Sequence, residues 1–86
     1  MEYSVKRNVI DEREAGRIAE SKLPGLKADA AIRFGNGFVV SMKKDNGETL
    51  YDSMFAVSSD GSKVAGFSPE SCMEEFQKAL SNVVKL

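Results

Sequence analysis

The chain has 86 residues, 42% of them hydrophobic and 29% charged, a composition expected of one small soluble domain and too apolar for a disordered tail. It has no histidine, one cysteine and a formal net charge of -1. Those counts exclude a Ser/His or Cys/His pair, an imidazole metal site and an intrachain disulfide within the chain, and they set it apart from strongly basic nucleic-acid binders.

No apolar run approaches the ~20 residues of a membrane-spanning helix, and Met1–Asn8 lacks the roughly 7–15-residue apolar centre of a secretory signal. Small secreted domains are usually stapled by several disulfides, so a lone Cys72 points to a reducing, cytoplasmic setting.

The first helix should start at Asp11. Asp11 is a good N-cap, and Glu14 three residues on completes the spacing of a capping box. Ala15, Ile18, Ala19 and Leu23 then form a one-sided apolar stripe, and Pro24-Gly25 ends the helix. Asp11, Glu12, Glu14 and Glu20, interleaved with Arg13 and Arg17, read as a solvated face.

The period then drops to two. Leu26, Ala28, Ala30, Ile32 and Phe34 alternate with Lys27, Asp29, Ala31 and Arg33, as in a strand with one buried face. Gly35-Asn36-Gly37 turns the chain into a second strand, with Phe38, Val40 and Met42 on one side. Asp45-Asn46-Gly47 is the next hairpin turn. A third strand runs from Leu50 to Val57, a turn at Ser58-Ser59-Asp60-Gly61 follows, and Lys63–Phe67 is a short fourth strand.

The last helix should take Ser68 as N-cap and Pro69 as its first residue. Met73, Phe76, Leu80, Val83 and Val84 make its stripe, and Glu74 and Lys78 are a favourable i, i+4 pair. Strands joined by short turns are antiparallel neighbours. The expected architecture is a single α+β domain over residues 1–86: helix, four-stranded antiparallel meander, C-terminal helix, with the helices packed mainly on one sheet face.

The segment Leu50-Tyr51-Asp52-Ser53-Met54-Phe55-Ala56-Val57, followed by Ser59-Asp60-Gly61-Ser62-Lys63-Val64, resembles small bacterial cystatin-like domains, the PepSY-like and toxin-immunity-like proteins. The resemblance covers residues 9–67. It implies a helix packed across a curved antiparallel sheet and a binding or inhibitory role rather than catalysis. The C-terminal helix departs from the pattern, and no functional residue is carried over.

The third strand is apolar on both faces: Tyr51, Phe55 and Val57 on one, Leu50, Met54 and Ala56 on the other. Either both faces are covered, or one carries an apolar patch of Ala31, Val39 and Met54 rimmed by Arg33, Lys43 and Asp52. Such patches on small domains serve a protein partner or a homodimer.

Two other classes compete with a non-enzymatic interaction module. Cys72, near the start of the last helix, would serve a thiol enzyme or redox sensor, although a catalytic thiol needs a base and no imidazole exists. Phe38, Tyr51 and Phe55 between Arg33, Lys43 and Lys44 would serve a single-stranded nucleic-acid binder, although net charge argues against it.

Asp45-Asn46-Gly47-Glu48 lacks the alternating oxygens of a calcium loop, and Gly35-Asn36-Gly37 lacks the following helix of a phosphate cradle. No metal, cofactor or membrane partner is expected. Charge is uneven: residues 1–44 carry nine Lys/Arg and six Asp/Glu, residues 45–86 three and seven, so halves separated in space would draw two copies together.

Overall fold

A computed structural model describes residues 10–44, 46 and 49–86, and of residues 49–53 the backbone alone. Helix α1 spans Glu12–Lys22. Strands β1 (Leu26–Phe34), β2 (Gly37–Lys44), β3 (Thr49–Ser58) and β4 (Val64–Gly66) follow. Helix α2 (Met73–Ala79) lies between two 3-10 turns, Glu70–Cys72 and Leu80–Asn82, and β5 (Val84–Lys85) ends the order. The sheet is antiparallel, in the order β4-β3-β2-β1-β5. The expected α+β arrangement of helix, antiparallel meander and C-terminal helix is therefore what forms, with five strands among the described residues in place of four.

The start of α1 follows its sequence. Asp11 sits in extended backbone and its carboxylate accepts the Glu14 N–H at 2.8 Å, satisfying one of the helix's orphan donors. Ala15 and Ala19 are fully buried, and Ile18 and Leu23 pack against the same cluster.

Two apolar layers flank the sheet. Ala28, Ala31, Phe38, Val40, Met42 and Val57 pack with α1. Ile32 and Val39 pack with Phe76 of α2, joined by Phe34, Met54 and Phe67. Neighbours in sequence, Ala31 with Ile32 and Val39 with Val40, therefore point to opposite layers, and the two helices lie on opposite faces. The expectation that both helices share one face is corrected here. The doubly apolar third strand has its cause in this arrangement: Phe55 faces α1, and Met54 faces α2.

The alternation read along β1 also needs correcting. Its pairing with β2 shifts between Ala28 and Ala30, so Ala28 and Ala31 share the α1 face although they are three positions apart. One extra residue reverses the facing of everything beyond it.

The C-terminal segment is shorter as a helix than its stripe suggests. Only Phe76 is buried there, and Met73, Leu80 and Val83 are exposed. Ser68 does not cap the helix; its hydroxyl lies 3.4 Å from Glu70 Oε1. Val84, expected on the helix, instead pairs with Ala31 as part of β5. The hairpin turn expected at Asp45-Asn46-Gly47 lies outside the described residues, apart from Asn46.

Candidate functional site

The two layers are unequally filled. Among the described residues, eight buried side chains form one cluster on the α1 side and three on the α2 side. The second layer depends on aromatic packing. Phe34, Phe67 and Phe76 meet pairwise with ring centroids 5.6–5.7 Å apart, two of the three contacts edge-on. Helix α2 is too short to cover more than part of the sheet, and the strand it meets most is β1. Beside it the outer face of β2 and β3 is left as an open groove of about 240 Å³.

Ile32, Val39 and Met54 form the floor of that groove, and Phe76, Leu80 and Val83 form its wall. Ser41 supplies a hydroxyl among these apolar side chains. Leu80 and Val83 are each 43% exposed, and Met73, at the start of α2, is 44% exposed. Apolar surface of this kind, left wet on a small domain, gains free energy when covered, about 25 cal/mol per Å².

Pairing registers fix what lies across the groove. Lys85 of β5 pairs with Ala30, Ala30 with Ser41, and Ser41 with Met54, while the Phe67 N–H donates to the Met54 carbonyl at 2.9 Å. One row thus crosses the sheet from Lys85 at the β5 edge to Phe67 at the β4 edge. Glu70 lies at that second edge, lining a hollow with Met54 and Phe67.

The patch read from the sequence is divided by the fold. Val39 and Met54 both line the groove. Ala31 is 1% exposed and belongs to the α1 layer, touching the groove only from beneath. Arg33 is on the other face: its guanidinium lies 5.2 Å from the centre of the Phe38 ring, and its Nε is 3.2 Å from Glu12 Oε2. Lys43 shares the groove face by alternation from Met42, with its ammonium 3.6 Å from Asp29 Oδ1. The Asp52 side chain lies outside the described residues.

Sequence reasoning missed Leu80 and Val83 as groove residues, because they continue the helical stripe that marks a core. It also missed Lys85 and Glu70, whose positions depend on β5 and on the turn before α2.

The other candidate sites are placed as follows. Cys72 is half-buried at the end of a 3-10 turn and does not line the groove. Phe38 is 3% exposed inside the α1 layer, and Phe55 packs against the same cluster, so neither ring offers a flat stacking platform. Among the described residues no group of three His, Cys, Asp or Glu is placed to hold a metal ion, and no helix is long and apolar enough to cross a membrane.

Searches against protein-family models, curated proteins and solved structures find no match to this chain.

Proposed function

We propose that this domain is a non-enzymatic protein-interaction module of the reducing cytoplasm, and that the groove beside α2 is its docking surface. The observation that carries this reading is the pair Leu80 and Val83, each 43% exposed along a groove floored by apolar side chains. A partner that inserts an apolar side chain there removes both surfaces from water. The sheet beneath is already paired from β1 to β3, and a surface ordered before docking loses little freedom on binding. The cystatin-like resemblance of residues 9–67 points the same way, towards binding or inhibition.

The test is site-specific photocrosslinking in the native host, with the reactive group at Leu80 in the groove or at Arg13 on the exposed side of α1. Capture of a protein of discrete mass from Leu80 alone is the expected result. Equal capture from both positions, or none from Leu80, would overturn the reading.

A further inference from the structure

We propose that the groove is filled by a second copy of this chain, related by a two-fold axis that sets the two α2 helices antiparallel; this rests on the docking reading above. Two features make the surface its own complement. The first is shape. An exposed ridge, Leu80 and Val83, stands beside a floor whose half-buried members are Ser41 and Met54, so the ridge of each copy can lie on the floor of the other. A two-fold contact requires a patch that holds both parts.

The second is charge. The row across the sheet has exposed Lys85 at one end and exposed Glu70 beyond the other. A two-fold axis through the groove reverses that row in the second copy and brings the lysine end of each chain to the glutamate end of its mate. A parallel arrangement would set like charges together.

The experiment is sedimentation equilibrium of the full chain from micromolar to millimolar concentration, with circular dichroism to confirm the fold of each variant. The wild type should reach twice its 9.4 kDa mass. Lys85→Glu and Glu70→Lys should each weaken association about tenfold, because each sets like charges together at both ends of the interface. An equimolar mixture of the two variants should restore it, since every contact in the mixed dimer is again between opposite charges. A variant that merely misfolds cannot be restored by mixing.

A wild type that stays monomeric at millimolar concentration overturns the proposal. So does a dimer indifferent to both variants, or a mixture no tighter than its components. The crosslinking experiment at Leu80 then decides the docking reading separately, through the mass of the captured species: a discrete heterologous product keeps that reading and rejects the second copy as occupant.

Discussion

Glu20 Oε2 accepts the backbone N–H of Ala28 at 2.8 Å, so a helix carboxylate holds the strand at the residue where its register slips. A bulge disturbs the local ladder of the strand that carries it. Here α1 supplies an acceptor at that place, and the contact ties α1 to β1 by more than apolar packing. The bond is partly buried, which raises the cost of losing it.

Replacing Glu20 by Ala should therefore cost about 1–3 kcal/mol, the penalty for stranding a partly buried donor. Glu20→Gln keeps an acceptor oxygen of nearly the same reach and should retain most of that stability. Urea unfolding of the three proteins checks this. Equal losses in the two variants would mean that the carboxylate acts through its charge and not as an acceptor.

This contact also marks where the sequence stopped being readable. By sequence Glu20 belongs with Asp11, Glu12 and Glu14 on a solvated face, because nothing in a helical stripe tells which exposed carboxylate will meet an irregular strand. The bulge was hidden for a related reason: Ala28, Ala30 and Ala31 suit either face of a sheet, so an error of one residue leaves no polar side chain visibly misplaced. The elements with strong periodicity were legible, as Ala15 and Ala19 in α1 and Phe38, Val40 and Met42 in β2 demonstrate.

The C-terminal end was ambiguous. Val83 and Val84 fit the i+3, i+4 spacing of the preceding helix, and two residues of β5 are too few to establish a period of two. The groove depends on that ending, so its wall could not be foreseen. The apolar character of both faces of β3 was the one sequence signal that the second face is covered.

Gly16 and Leu86 form a second contact with a measurable consequence. A Cβ built on Gly16 would lie 2.5 Å from Leu86 Cδ1 and 3.1 Å from the Ala28 Cβ. Leu86 reaches α1 because its N–H donates to the Asp29 carbonyl at 3.0 Å, extending the pairing of β5. Glycine inside a helix costs about 1 kcal/mol relative to alanine, so Gly16→Ala gains in propensity what it loses in space.

The prediction is a positive coupling in a double-mutant cycle. Gly16→Ala should change the stability of the wild type little, and should become more favourable by roughly 1 kcal/mol when Leu86 is also changed to Ala, because the nearer obstacle is gone. Denaturant midpoints of the four proteins give the coupling. Additive effects would show that Ala28, not Leu86, limits the space at Gly16.

The β3–β4 turn carries the last prediction. Asp60 is exposed, yet its carboxyl is held at about 2, below its ordinary 3.8, first by the Ser62 N–H and then by the hydroxyls of Ser62 and Ser58. Asp60 Oδ1 accepts all three, at 3.0, 2.8 and 2.9 Å. The folded value is the lower one, so the folded state favours the ionised form. This contribution is complete above the unfolded value and is lost as pH falls through the folded one, a window of about pH 4 down to about pH 2.

Because the group is fully solvated, water and salt screen the effect and its size is modest. Asp60→Asn should flatten the acid limb of the stability curve within that window, while above it the variant should be the less stable protein. Urea unfolding at several pH values, for both proteins, reads this directly. Curves that stay parallel from about pH 4 to about pH 2 would mean that the three hydrogen bonds hold the carboxyl no more tightly in the folded chain than in the unfolded one.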